Sequence, residues 1–454
     1  MNAVFRFRGR QRASETGENQ VICMLVDNYS VERAIRRFNG GRERYAQEGD
    51  GMKPKTPSHL VLISLLAVSA LAAAVLQGRT TGQSSNAQAG IPRFEVDRSW
   101  QWPPKLPNNW VVGIVSFVAV DRQDNVWVLH RPRQVVGQTD HAAPAVLQFD
   151  AAGKFVQACG GPSPGYDWPD MEHGLSVDYQ DNVWITGLNP LERSYSKPSQ
   201  RTDDMIVKFT STGKFVKQFG GRDRHPLAVG GNDDKTSVHL ATEAVVYPKT
   251  NELFVSDGYA NRRVLVLDPE TLTVKRMWGA FGIQPPPKLG RGEGERSTVQ
   301  TDDPEGPKVF NSVHGIKVSN DGLVYVGDRN HRRVQVFTLD GKYVAQVFVN
   351  PTEKSPPVDG KNAADHMTAG SLAFSPDPAQ RFLYVGDYGN GHVHIVDRKA
   401  LRVVGKFGEM SGKPGDFRGL HALAADSKGN LWTAETQPRP VGSRVQRFIF
   451  KGVS

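Results

Sequence analysis

Six times between residues 116 and 436 the chain repeats one frame: a short apolar strand, a polar turn, then a second strand ending in a polar or aromatic pair. The copies are "SFVAVDRQDNVWVLHR" (116–131), "HGLSVDYQDNVWITGL" (173–188) and "TEAVVYPKTNELFVSDGY" (242–259). They continue as "HGIKVSNDGLVYVGDR" (314–329), "GSLAFSPDPAQRFLYVGDY" (370–388) and "HALAADSKGNLWTAET" (421–436). A trailing half with a G-K-x-V-type turn recurs as well, as in "IVKFTSTGKFVKQFGG" and "RVQVFTLDGKYVAQVF". Equivalent positions Val120, Val177, Val246, Val318, Phe374 and Ala425 stand 57, 69, 72, 56 and 51 residues apart. Four strands of about five residues with their turns need about 40–50 residues, and the excess falls in Pro/Gly/charged inserts such as 283–308 and 350–368. Alternating strands with tight turns and no helical period predict an all-β fold, a six-bladed β-propeller over residues 91–454. The last copy ends at "RVQRFIF", so "RFEV" (93–96) is expected to close the final blade.

The segment before the repeats has a different character. Lys53 and Lys55 precede a charge-free run of 17 residues, Leu60 to Leu76, and then small polar residues ending in Ala87-Gln88-Ala89. Residues 52–89 therefore read as a signal peptide with an A-x-A cleavage site, or, at the lower edge of spanning length, as a single membrane anchor through 60–76. Either reading places the propeller outside the cytoplasm, periplasmic, secreted or tethered. Residues 1–51 are a basic extension without pattern, and Met52 reads as the working start or as the end of a cytoplasmic extension. Through Ala89 there are 12 Lys+Arg against 7 Asp+Glu, so the leader carries +5 of the formal +9 and the rest is close to neutral for its size. The basic balance therefore gives no case for nucleic acid as a partner. Cys23 and Cys159 are the only cysteines, so after cleavage Cys159 stands alone and is expected as a small buried apolar residue.

In a propeller the innermost strands line the central channel, so equivalent positions form a ring. The first ring position holds Ser116, His173, Thr242, His314, Gly370 and His421: histidine on every second blade. Three neutral imidazoles converging with an open fourth position make a catalytic type of zinc site. A histidine before Gly at a strand start also serves simply to pack or to bond a neighbouring turn, and the pattern alone leaves both readings open. A second ring, at the ends of the second strands, holds His130-Arg131, Gly187-Leu188, Asp257-Gly258-Tyr259, Asp328-Arg329, Asp387-Tyr388 and Glu435-Thr436. Its two arginines and two tyrosines would surround a metal-bound ligand, with the arginine fork for a carboxylate and tyrosine for proton transfer. The aspartates are expected to tie turns, and "NRR" (261–263) and "RR" (332–333) to be solvated faces.

The frame, with "DGYANRRVLVLD" and "DRNHRRVQVF", resembles the NHL repeat, which occurs in binding scaffolds as well as in enzymes. More specifically the chain resembles the lyase domain of peptidylglycine α-amidating monooxygenase, peptidyl-α-hydroxyglycine α-amidating lyase. The pieces that carry this are "VAVDRQDNVWVLHR", "HGLSVDYQDNVWIT", "ELFVSDGYANRRVLVLDPETLTVKRMWG", "VHGIKVSNDGLVYVGDRNHRRVQVF" and "FRGLHALAADSKGNLW". The resemblance implies Zn2+ on His173, His314 and His421, with Tyr259, Arg131 and Arg329 as catalytic residues. It also implies cleavage of the C–N bond of a peptidyl-α-hydroxyglycine to an amide and glyoxylate, the arginines holding the carboxylate of the small-molecule or peptide substrate. Ala422 replaces the family's calcium-binding aspartate, which places calcium in doubt, and Ala260 replaces a family cysteine. The chain shows no copper monooxygenase domain, so a hydroxylating partner would be separate. The alternative function is a non-catalytic propeller that binds a ligand or protein in the envelope. A calcium-dependent lactonase would need a ring of Glu, Asn and Asp, where this ring has His, Ser and Thr.

Overall fold

The computed structural model describes residues 24–25, 90–135, 137, 139–189, 201–225, 231–287, 305–354, 367–437 and 443–454. The leader with its apolar run lies outside them, as does most of both inserts. Among the described residues no helix is long and apolar enough to cross a membrane.

Six antiparallel sheets follow one another along the chain, each ordered from an inner to an outer strand. Their inner strands are Ile114–Val120, Glu172–Val177, Glu243–Tyr247, Val313–Val318, Ser371–Phe374 and Leu420–Ala425, here blades 1 to 6. The two-residue strand Met24–Leu25 adds a fifth member at the outer edge of blade 1. The expected closure is present: Pro92–Val96 is the outer strand of blade 6, with Phe94 opposite Phe450 on Val445–Val453.

Burial across each blade explains why the sequence reads as it does. Second strands such as Val126–Arg131 and Glu252–Asp257 are buried at every position, because both faces pack on neighbouring sheets, and their apolar runs are nearly continuous. Outer strands such as Tyr343–Phe348 are mostly half-buried, because one face meets water. The core is accordingly divided among the gaps between sheets. Val264, Val266 and Trp278 of blade 3 meet Ile316, Val324 and Phe337 of blade 4 in one such gap.

The D-x-x-x-N-x-W turns are built on one carboxylate each. In blade 1 Asp121 Oδ1 accepts the backbone N–H groups of Gln123 and Asn125, while Oδ2 accepts Trp127 Nε1 at 2.8 Å. Asp178 does the same for Trp184 at 2.8 Å, and Asp426 for Trp432 at 3.4 Å. One side chain thus closes the hairpin and anchors a buried indole.

The aspartates of the second ring do tie turns. Asp257 accepts His239 N, Asn261 Nδ2 and Arg263 Nε, and Asp328 accepts Asn311 N, His331 Nδ1 and Arg333 Nε. The arginine pairs, however, are not solvated faces. Arg263 and Arg333 are fully buried, and Arg262 and Arg332 are 6% exposed. Each of the first two has a carboxylate at 2.8–2.9 Å plus several backbone carbonyls, which offset the cost of removing a cation from water. Cys159 is buried, as expected.

The closing strand is held by Phe94, whose ring lies 5.1 Å from Phe407, 5.4 Å from Tyr384 and 5.9 Å from Phe450. Phe94→Ala should cost about 2 kcal/mol, somewhat less than for a fully buried phenylalanine, read as a lower urea midpoint. An unchanged midpoint would show that the packing of this strand against blades 5 and 6 does not contribute to stability.

Candidate metal centre

His173, His314 and His421 are each the second residue of an inner strand. At that point the pairing with the second strand slips, between Glu172 and Leu175, Val313 and Ile316, and Leu420 and Ala422. Such a bulge re-aims a side chain, and here it turns the imidazole toward the channel. The glycine after the first histidine serves the same end: a Cβ on Gly174 would stand 2.1 Å from Thr242 O, so only glycine lets blade 3 approach this closely.

That close carbonyl is a partner of the histidine itself. His173 Nδ1 donates to Thr242 O at 2.9 Å, His314 Nδ1 to Gly370 O at 2.5 Å, and His421 Nδ1 to Ser116 O at 2.7 Å. A carbonyl can only accept, so Nδ1 carries the hydrogen in all three rings and Nε2 keeps its lone pair. The three rings stand edge to face in a nearly equilateral triangle, with centroids 4.7, 4.9 and 5.1 Å apart. One ring nitrogen from each lies within 4.8 Å of the others.

The rings are neutral at ordinary pH. Burial pushes His421 down to about 3, with the positive field of Arg131 adding to it. Burial lowers His173 and His314 well below the usual imidazole range too, helped by His421 and by the arginines. Three buried, neutral, tautomerically fixed imidazoles with outer-shell carbonyls are the donor set that suits zinc.

Tyr259 lies over one edge of the triangle. Its hydroxyl is 3.2 Å from both His173 Nε2 and His314 Nε2, and Arg329 Nη1 donates to it at 3.1 Å. Arg329 is 3% exposed, and its Nη2 is buried without a hydrogen-bond partner. Arg131 is buried as well, donating from Nε to Glu172 O at 2.9 Å, and feels the phenols of Tyr259 and Tyr388. The three histidines, Tyr259 and both arginines expected from the sequence therefore stand together.

Some of the constellation escaped the sequence. At Ser116, Thr242 and Gly370 it is the backbone carbonyl that contributes, and the visible sign was only that small residues alternate with histidine. Glu172 also went unnoticed: Trp168 Nε1 donates to its Oε1 at 2.7 Å, Oε2 has no partner, and burial raises the carboxyl to about 7. Ala422 is fully buried and offers no oxygen from its side chain for calcium.

Residues 310–337 match the NHL repeat model. Over 382 residues the chain is 24% identical to peptidyl-alpha-hydroxyglycine alpha-amidating lyase 1 of Drosophila melanogaster, covering 78% of this chain and 60% of that protein. It is 25% identical over 262 residues to the mouse peptidyl-glycine alpha-amidating monooxygenase, covering 55% of this chain and 23% of that protein. It is 24% identical to human NHL repeat-containing protein 3, covering 78% of this chain and 84% of that protein. The chain thus carries an NHL repeat and is similar, at low identity, to amidating lyases, of whose length it spans less than two thirds.

A pH dependence follows from the buried rings. His421 at about 3 and His130, which burial takes down to about 4, both sit below an exposed histidine's value near 6.5. The unfolded chain therefore takes up protons first, and stability present above pH 6.5 is lost as pH falls toward 4. Glu172 and Asp203, whose carboxyls burial raises to about 7, take up protons in the folded chain over the same range and oppose this loss, so the rings themselves are the readout. The imidazole NMR signals of His130 and His421 in the metal-free chain should not titrate near pH 6.5, and titration of either ring there would contradict neutral buried imidazoles.

Proposed function

We infer that this chain is a zinc-dependent carbon–nitrogen lyase that cleaves an N-acyl-α-hydroxyglycine, a carbinolamide, into an amide and glyoxylate. The reading is carried by one observation: three fixed Nε2 lone pairs stand beside a tyrosine hydroxyl 3.2 Å from two of them, itself held by Arg329. His173, His314 and His421 would hold the ion. Zinc supplies Lewis acidity, which makes an alcohol proton easier to remove at neutral pH.

The chain's own residues account for the rest. Arg131 and Arg329 take the substrate carboxylate, Arg329 with its unpartnered Nη2, and this fixes the reacting carbon against the histidine face. Tyr259, in its ionised form, accepts the proton of the carbinol hydroxyl, and Arg329 steadies the charge on the phenol oxygen. As the oxygen's electron pair closes the aldehyde double bond, the C–N bond breaks and its pair goes to nitrogen. The proton on Tyr259 then passes to that nitrogen, so nothing beyond the substrate is consumed.

Export forms part of the same proposal, on the strength of the 60–76 run and the Ala87-Gln88-Ala89 site. So does a separate monooxygenase that supplies the hydroxylated substrate. A second reading, a propeller that binds without turnover, draws support from the similarity along 84% of human NHL repeat-containing protein 3.

Protein purified after zinc-replete expression should hold about one zinc per chain and release glyoxylate from α-hydroxyhippurate. Tyr259→Phe should lower kcat by at least about 100-fold with zinc retained, and His314→Ala should lose both metal and activity. Zinc retained without glyoxylate release would favour the binding reading, and zinc below about 0.3 per chain would sink the metal centre.

A further inference from the structure

Tyr388 follows Asp387 at the end of the second strand of blade 5, Phe382–Asp387, close to the place Tyr259 takes after Glu252–Asp257 in blade 3. Its ring stands edge-on to His421, with centroids 6.3 Å apart and planes at 79°. Tyr259 reaches His173 and His314, so the two phenols flank the triangle from different sides.

Their hydrogen bonding differs. The Tyr388 oxygen accepts from Gln437 Nε2 at 3.0 Å and from Thr436 Oγ1 at 3.3 Å. A hydroxyl has two acceptor positions and one hydrogen. Gln437 Nε2 can only donate, while Thr436 Oγ1 divides its one hydrogen between this oxygen and Gly419 O at 3.5 Å. Gln437 therefore sets Tyr388 to use its own hydrogen as a donor, on a half-buried side chain beside Arg131.

An N-acyl-α-hydroxyglycine presents four polar groups. On the lyase reading, on which this inference rests, the arginines take the carboxylate and Tyr259 the hydroxyl. Of the two left over, the amide N–H is a donor and the acyl carbonyl of the departing amide an acceptor only, so the carbonyl is the one that matches a donor held on the His421 side. We propose that Tyr388 donates a hydrogen bond to the acyl carbonyl of the substrate and so selects N-acylated over free-amine compounds.

The probe is hippurate, which has the amide and the carboxylate but cannot be cleaved, compared with glyoxylate, which has no amide. Binding of each to the zinc-loaded full chain is measured by calorimetry for wild type and Tyr388→Phe, after equal melting temperatures confirm the fold. Hippurate affinity should fall about tenfold in the variant, one hydrogen bond's worth, with glyoxylate affinity unchanged, and KM for α-hydroxyhippurate should rise to match. If Tyr388→Phe does not fold, Gln437→Ala, which leaves the phenol in place but frees one of its acceptor positions, should show a smaller loss for hippurate alone. Unchanged hippurate affinity, or an equal loss for hippurate and glyoxylate, would overturn the assignment. Absence of glyoxylate release from α-hydroxyhippurate by wild type would instead count against the lyase reading, and the calorimetric comparison would still decide on Tyr388.

Discussion

Three hydrogen bonds from imidazole Nδ1 to backbone carbonyls join blade 2 to blade 3, blade 4 to blade 5 and blade 6 to blade 1. Every blade takes part in one of them, as donor or acceptor. The same bonds that tie neighbouring sheets at the channel fix which nitrogen of each ring faces inward. Site geometry and ring geometry are therefore one constraint: a blade that rotated away from its neighbour would lose a bond and release an imidazole. The bulges at the three histidines and the close approach at Gly174 are what the backbone contributes to meeting it.

The electrostatic setting follows from burial. Arg263 and Arg333 are spent on Asp257 and Asp328, deep between strands. Arg131 and Arg329 are buried as well, bonded to a backbone carbonyl and a phenol oxygen, and the one carboxyl in the field of Arg131, Glu172, is raised by burial to about 7. The mouth of the channel thus holds two cations beside three rings that burial keeps neutral. A low-dielectric setting amplifies such a field, and an anion is what it draws in.

Much of this is legible in the sequence itself. The blades were legible because a period of 51–72 residues places like residues at like positions, and the alternation of histidine around the ring was legible for the same reason. The turn aspartates were legible too, since a carboxylate at a hairpin start has few uses besides capping. What was not legible depends on partners distant in sequence. Arg262 and Arg263 look like a solvated pair until Asp257, Asn232 and the carbonyls of 234 and 237 are found around them. Glu172 reads as a polar strand residue, and only the Trp168 indole and the lack of a partner at Oε2 reveal its setting. A carbonyl's contribution leaves no trace in residue type, so the outer shell of the histidines appears in the sequence only as the small residues that make room for it.

The seam between Pro92–Val96 and Val445–Val453 has a consequence for how the chain reaches this state. Ile91 N donates to Ser454 O at 2.8 Å, and Ser454 N donates back to Ile91 O at 3.2 Å, so the first and last residues of the propeller are direct neighbours. Blade 6 lacks its outer strand until Pro92–Val96 meets Val445–Val453, across more than 350 residues. Closing a loop of that length is entropically costly and slow, so blades 1 to 5 can stack on one another before the circle completes. The bond from His421 to Ser116, 305 residues away in sequence, spans that same last junction. The third imidazole therefore keeps its carbonyl partner only in a closed circle, and an open ring fixes two of the three.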